Sequence, residues 1–171
     1  MLVNPCQEFV HFGLTSQDIN SVAFSCQLRD SMVNVIIIEL TKLGNRLEKF
    51  AEYCDIVILG YTHGQPAIPT NMKKEMCVFL ERLSFWIDKL YVFPYTTKFG
   101  GAVGNLNAHY LVYPDINWNI EMLDFIRDKF KLNKWNTTTQ ITNYDDICCS
   151  FHYLIGINNI FIDLCQDIWL Y

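Results

Sequence analysis

Ile36, Leu40, Leu43, Leu47, Phe50 and Cys54 recur at helical spacing. The chain leading into them opens on Thr15-Ser16-Gln17-Asp18, where Thr15 or Ser16 can cap a helix and Asp18 suits its positive first turn. Read as one element, Ser16 to Tyr53 predicts a helix about 57 Å long at 1.5 Å per residue. A compact globule of this size has a radius of gyration of only about 15 Å. Such a helix overshoots a sphere, so the expected fold is all-α: an elongated bundle of long helices, completed by other subunits. Val33 to Ile38 is apolar on almost every face and is expected to be buried on several sides. Its β-branched content also fits a strand, but the flanking period favours a helix.

The same period continues downstream. A second helix is predicted from about Asn71 to Phe93, with Met76, Phe79, Leu83, Trp86 and Leu90 on one face. A shorter one carries Ile120, Leu123, Ile126 and Phe130 after a turn at Tyr113-Pro114-Asp115. The last begins near Tyr144, with Asp145 and Asp146 in its first turn. Ile147, Phe151, Leu154, Asn158, Phe161, Cys165 and Ile168 are expected to form its buried side, and the pattern is still helical at Tyr171. No repeat, low-complexity tract or linker divides residues 1–171, which read as a single helical segment.

Polar residues gather in the bends. Asp55 to Gly60 breaks the helical pattern, and Tyr61-Thr62-His63-Gly64-Gln65-Pro66-Ala67-Ile68-Pro69 follows. Gly64 permits unusual backbone angles, while Pro66 and Pro69 fix φ and remove two donors. The expected result is a stiff, non-helical bend that presents Thr62, His63 and Gln65. Histidine is the side chain most readily set to move a proton near neutral pH; the plain structural alternative is a histidine bonded to a neighbouring carbonyl. Thr15 and Ser16 have two readings as well, a helix cap or an anion site built from hydroxyls and free N–H groups. Lys73, Lys74 and Glu75 open the second helix, where positive charge opposes the helix dipole, a mild conflict of the kind found at functional sites.

Phe99-Gly100-Gly101-Ala102-Val103-Gly104-Asn105-Leu106-Asn107-Ala108-His109 is a second non-helical insert, either a tight connector or a pocket wall. It lacks the GK[ST] ending of a P-loop and is no GxGxxG fingerprint. Trp135 to Thr142, with Thr137-Thr138-Thr139-Gln140, reads as a polar connector of β propensity.

Composition narrows the function classes. A net charge of −5 argues against general nucleic-acid binding, although a local anion pocket needs only a few donors. Seven cysteines, scattered and without a CxxC pair, point to buried reduced thiols rather than a disulfide framework or a zinc site. No secretory or transit sequence opens the chain, and no apolar run is long enough to cross a bilayer, so a soluble, cytoplasmic protein with no membrane partner is expected.

Taken together, Thr15-Ser16-Gln17-Asp18, Thr62-His63-Gly64-Gln65-Pro66-Ala67, Gly101-Ala102-Val103-Gly104-Asn105 and Thr138-Thr139-Gln140 resemble the adenylosuccinate lyases of the fumarase/aspartase superfamily. All four segments occur in order, and the resemblance covers nearly the whole chain. It implies a carbon–nitrogen lyase that cleaves adenylosuccinate to AMP and fumarate, and cleaves the succinyl-carboxamide ribotide of purine synthesis in the same way. Both are β-eliminations without metal or organic cofactor. By matching position, His63 takes the general-acid role. Thr15 and Ser16 match residues that hold the anionic part of the substrate, and Gln140 matches a substrate-binding glutamine. Lys74 is a further anion contact, and Asn107 and Gln65 are candidates to line the pocket.

A loop resembling SSxMPxKxNP carries the catalytic base in the family, and it has no counterpart in these residues; nor does the N-terminal histidine region. The resemblance therefore implies the central part of a longer enzyme, a homotetramer with active sites shared between subunits. The segment by itself, with binding groups and an acid but no base, is expected to be inactive. Two rival readings remain. One is another lyase of the superfamily, acting on argininosuccinate, fumarate or carboxymuconate, against which the THGQPA segment and its glycine-rich partner argue. The other is a non-catalytic helical oligomerisation module, which has no need for polar residues in its bends.

Overall fold

The computed structural model describes residues 6–170. A 3₁₀ turn at Gln7–Phe9 precedes α1 (Ser16–Ser31), a π-helical turn (Met32–Ile36) and α2 (Ile37–Tyr53). The hairpin β1 (Val57–Thr62) and β2 (Gln65–Asn71) leads into α3 (Met72–Tyr91). Then follow β3 (Thr96–Thr97), α4 (Asn107–Val112), α5 (Trp118–Phe125), a second π-helical turn (Ile126–Phe130), β4 (Asn133–Lys134) and α6 (Asp145–Leu170). The protein is thus mostly helical, with two small two-stranded sheets beside the helices. The chain divides into two compact units, residues 1–30 with 94–146, and residues 31–93 with 147–171.

Helical structure runs unbroken from Ser16 to Tyr53, as the spacing predicts, and Leu40 and Leu47 of the predicted stripe pack inward, but the rest of the buried face differs. The π turn places residues five apart on one face, and Ile37 donates its N–H to the Met32 carbonyl. Met32 and Ile37 are both buried, followed by Leu40 and Ala51. Leu43 and Phe50 are left exposed, and so are Val33, Val35 and Ile38, which were expected to be enclosed. Within α2 the apolar residues Leu43 and Phe50 lie beside the buried face rather than on it, and period alone does not choose between neighbouring faces.

In this second unit α3 is capped by the Asn71 side chain and buries Met76, Phe79, Leu83 and Leu90, the face its spacing predicts. Met76 and Phe79 form one cluster with Ala51, Ile160 and Leu164, and Leu47, Met72 and Trp86 pack against it. The buried side of α6 is therefore Ser150, Ile157, Ile160 and Leu164. Phe151, Asn158, Cys165 and Ile168 of the predicted stripe are exposed, because α6 is apolar around most of its circumference and period alone cannot choose a side. Its 26 residues include an 18-residue window of mean hydropathy 1.4 with 22% buried. By length and composition α6 is thus able to cross a membrane, which corrects the expectation that no such run exists. An ion pair joins its Asp163 to Arg82 of α3 at 2.8 Å.

Gly156 lets α6 approach α3 closely: a Cβ there would stand 2.5 Å from Cζ2 of Trp86. The indole is held edge-on by Phe85 at 5.4 Å and tilted against Tyr153 at 5.7 Å, so it has little room to yield. Gly156→Ala should therefore destabilise this unit by about 1–3 kcal/mol, outweighing the helix propensity gained. Urea unfolding followed by tryptophan fluorescence measures it; an unchanged or raised midpoint would show that the ring relocates freely.

The first unit is organised differently. The buried face of α1 is polar: Asp18, Ser21 and Ser25, with Val22. Ser21 and Ser25 dock on β3 and the residue that follows it. Ser21 shares a 2.9 Å hydrogen bond with the Thr97 hydroxyl and accepts one from the Lys98 N–H at 3.0 Å, while Ser25 donates to the Thr96 carbonyl at 2.7 Å. Strand β3 pairs in parallel with β4, Thr96 opposite Asn133 and Thr97 opposite Lys134. Phe99, Leu106, Ile126 and Leu132 supply apolar burial.

The six cysteines from Cys26 onward carry free thiols. None is buried, contrary to expectation: Cys77, Cys148 and Cys165 are exposed on outer helix faces and Cys26, Cys54 and Cys149 are half-buried.

Candidate functional site

The bend around His63 is a β-hairpin. Asp55 accepts from the Asn71 side chain at 2.7 Å, and the Met72 N–H reaches the Ile56 carbonyl at 3.0 Å, so its base is fastened where α3 begins. β1 and β2 pair antiparallel from Val57 opposite Asn71 to Thr62 opposite Gln65, with an irregularity between Leu59 and Tyr61. There Gly60 lies under the Ile68 carbonyl, 2.7 Å from where a Cβ would sit. The strands close through a two-residue turn of His63 (φ 51°) and Gly64 (φ 73°). Two successive positive φ values are the mark of a type I′ hairpin turn, whose twist matches the strands. The sequence reading of a stiff, non-helical bend holds, and the pairing of its two arms is what the structure adds.

A histidine in the left-handed region costs about 1–2 kcal/mol relative to glycine. It is held there by the hairpin, and its side chain is exposed. Among the described residues the His63 side chain makes no hydrogen bond. Gln65 is likewise exposed, at the first position of β2.

Lys74, in the first turn of α3, is exposed and pairs with Glu75, which also accepts from the Thr70 hydroxyl at 2.9 Å. The Lys74 ammonium, helped by Thr70, holds the Glu75 carboxyl below its ordinary range against partial burial. The dipole conflict at this helix start is thereby relieved locally.

Thr15, Ser16 and Gln140 belong to the first unit, whereas His63 and Lys74 belong to the second. In the first unit three of the four motif segments converge. Asp18, fully buried, turns its carboxylate back on Thr15, accepting the Thr15 N–H at 2.8 Å and its hydroxyl at 3.3 Å. The same carboxylate accepts the Gly100 N–H at 2.8 Å and the Gly101 N–H at 3.2 Å. It also holds the Lys98 ammonium at 2.6 Å, with both side chains fully buried. Gly104, at φ +84°, lies so close to Thr138 that a Cβ would meet its carbonyl oxygen at 2.0 Å. The glycine insert is therefore a connector clamped between the Thr15 turn and the Thr138 segment. It ends at Leu106, and Asn107 and His109 are helical.

Asp18 and Lys98 escape a search for apolar periodicity because the interface they build is polar. The available signal is Asp18, Ser21 and Ser25 at helical spacing, opposite Thr96-Thr97-Lys98. Burial alone would raise the Asp18 carboxyl, but Lys98 and the N–H groups of Thr15 and Gly100 outweigh it and hold it below the ordinary range. Ser16 and Gln140 are exposed. Beside Gln140, a cleft of about 340 Å³ is lined by Trp135, Thr137, Thr138, Thr139, Asn143 and Tyr144 among others.

His109 is buried against the rings of Phe12 and Trp118, each 4.9 Å away, and its Nδ1 makes no hydrogen bond among the described residues. Burial pushes the imidazole below its ordinary range, only partly offset by the Phe12 backbone and Asp18. A depressed folded-state value means that the stability is whole above about pH 6.5 and is lost as the pH falls below it. The melting temperature should therefore drop between pH 7.5 and 5, and less so in His109→Phe. Melting curves with equal pH slopes for parent and variant would contradict the assignment.

The geometry can be set beside known proteins. An adenylosuccinate lyase of Dictyostelium discoideum is 45% identical over 168 residues, covering 96% of this chain and 36% of the relative. An adenylosuccinate lyase of Buchnera aphidicola subsp. Acyrthosiphon pisum is 40% identical over 166 residues, with the same two shares. One of Legionella pneumophila strain Corby is 36% identical over 168 residues, 97% of this chain and 36% of the relative. The chain thus spans 36% of the length of these curated relatives. A crystal structure of 3-carboxy-cis,cis-muconate lactonizing enzyme from Pseudomonas putida superposes with a TM-score of 0.76. It is 24% identical and covers 94% of this chain and 35% of that one, a likeness of fold. The family model described as Lyase matches residues 2–171, and the chain belongs to that lyase family of the fumarase/aspartase superfamily.

Proposed function

We propose that the chain is the central part of an adenylosuccinate lyase, releasing fumarate from adenylosuccinate and from the succinyl-carboxamide ribotide by β-elimination. His63 carries the reading. It stands exposed and without a hydrogen bond at the tip of a rigid hairpin, in the segment Thr62-His63-Gly64-Gln65-Pro66-Ala67 that the resemblance assigns to the acid. A base removes the proton beside a carboxylate, the electron pair forms the double bond, and the C–N bond breaks. His63 gives its proton to the departing nitrogen. Thr15 and Ser16 hold the anionic part of the substrate, Gln140 and Lys74 contribute further contacts, and the base comes from a segment outside these residues. No metal or organic cofactor takes part, because an acid, a base and anion-binding donors suffice for the elimination.

The proposed assembly is a cytoplasmic homotetramer built on an elongated helical bundle, with each active site shared between subunits. Phe151, Ile155, Ile162 and Trp169 of α6 and Tyr61 and Ile68 of the hairpin are exposed apolar side chains of the kind that other copies cover. This reading places other copies, rather than lipid, on α6; the Arg82–Asp163 pair on its flank and the lyase family support it.

The test is release of fumarate and AMP, followed by mass spectrometry, from a complete lyase containing this segment, with argininosuccinate as the competing substrate. Product from adenylosuccinate alone is expected, and none from the 171 residues by themselves. Fumarate from argininosuccinate instead would move the chain to a sister lyase. Neither product from the complete enzyme would leave the helical module.

A further inference from the structure

The Asp18 carboxylate gathers donors from two segments, the Thr15 turn and residues 98–101. Oδ1 takes the Lys98 ammonium and the Gly100 N–H, Oδ2 takes the Thr15 N–H, and the Gly101 N–H lies 3.2 Å from both oxygens. Lys98 also donates to the Gly101 carbonyl. Gly13 and Gly101 press together, with a Cβ on Gly101 3.1 Å from the Gly13 oxygen. The Thr15 turn therefore has no freedom of its own; the carboxylate sets it relative to the glycine connector.

Two consequences follow for an anion at Thr15. The Thr15 hydroxyl contact, at 3.3 Å, is the longest of the set and the cheapest to exchange, since the other four donors still satisfy Asp18. An unpaired carboxylate at this position would repel the anion, however, because like charges brought together at a binding surface are costly. Lys98, as fully buried as Asp18, removes that repulsion.

We propose that Asp18 is a positioning residue, tying the substrate-binding Thr15 turn to the Gly100–Gly101 connector, and that Lys98 neutralises it so that an anionic substrate group meets an uncharged turn. The proposal rests on the lyase reading above and deepens it.

The test uses the complete lyase with adenylosuccinate, each variant being checked for its helical circular dichroism. Lys98→Met should raise KM by at least about tenfold, more at low salt than at high, with a smaller fall in kcat. Asp18→Asn/Lys98→Met, which carries no charge but keeps an acceptor, should recover most of that KM. Asp18→Ala/Lys98→Met, without the acceptor, should not. If Lys98→Met fails to fold, the two uncharged variants still decide, since positioning requires the alanine form to have the higher KM. Equal KM in those two, or a KM that does not move while only the melting temperature falls, overturns the proposal. Thr15→Ala separates this failure from a failure of the lyase reading. If Thr15→Ala leaves KM unchanged, Thr15 does not bind substrate and the site assignment itself falls.

Discussion

His63→Ala, in a complete lyase carrying this segment, is expected to lower kcat by about 10²–10⁴-fold while KM changes far less. General acid catalysis acts on the nitrogen only as the C–N bond breaks, so its loss appears in the transition state and hardly in the bound substrate. The hairpin supplies a control for the fold. Position 63 has φ 51°, a conformation that asparagine adopts readily at the first place of a type I′ turn. His63→Asn should therefore keep the hairpin and lose the acid, reproducing the kcat loss of the alanine variant. Activity retained in either variant would remove His63 from the chemistry. A large KM effect with kcat intact would make it a binding residue.

The histidine shows what sequence can reach and where it stops. Gly64, Pro66 and Pro69 are enough to predict a stiff non-helical bend presenting His63, since their backbone limits are local. That the bend is a hairpin depends on β1 and β2 finding each other, with Leu59 opposite Pro69 and a bulge at Gly60, which no local rule specifies. The long helices divide in the same way. The face of α3 is legible because its other faces are polar, whereas α6 offers apolar side chains on most sides and its true contact through Ile160 and Leu164 is chosen by α2 and α3. On α2 Leu40 and Leu47 lie on the packed face as predicted, whereas Ile37 and Ala51 are buried in place of Leu43 and Phe50, a choice that tertiary packing makes. At the candidate site, the motif points to Thr15 and Ser16, but Asp18 reads as an ordinary first-turn acid until Lys98, eighty positions away in sequence, is seen beside it.

That pair sets the second large effect, on stability. Lys98→Met leaves the Asp18 charge buried without its counter-ion and should cost about 3–5 kcal/mol at pH 7. Asp18→Asn/Lys98→Met should cost less, because no charge is stranded and the amide oxygen in the Oδ2 position still accepts from Thr15 and Gly101, with only Gly100 losing its acceptor. The pH dependence has a definite sign. In the parent, the folded Asp18 carboxyl lies below its ordinary range, so its contribution is whole above about pH 4 and is lost as the pH falls further. In Lys98→Met the carboxyl loses the ammonium that opposes its burial and moves up from its value in the parent, so the variant loses less stability as the pH falls. The two curves must approach each other in acid. Urea unfolding at pH 7, 5 and 3.5 measures the gap directly. A gap below about 1 kcal/mol at pH 7, the size of an exposed pair, would mean that water reaches Asp18 when Lys98 is gone. A gap that stays constant down to pH 3.5 would mean that lost packing of the lysine stem, rather than the stranded charge, sets the cost.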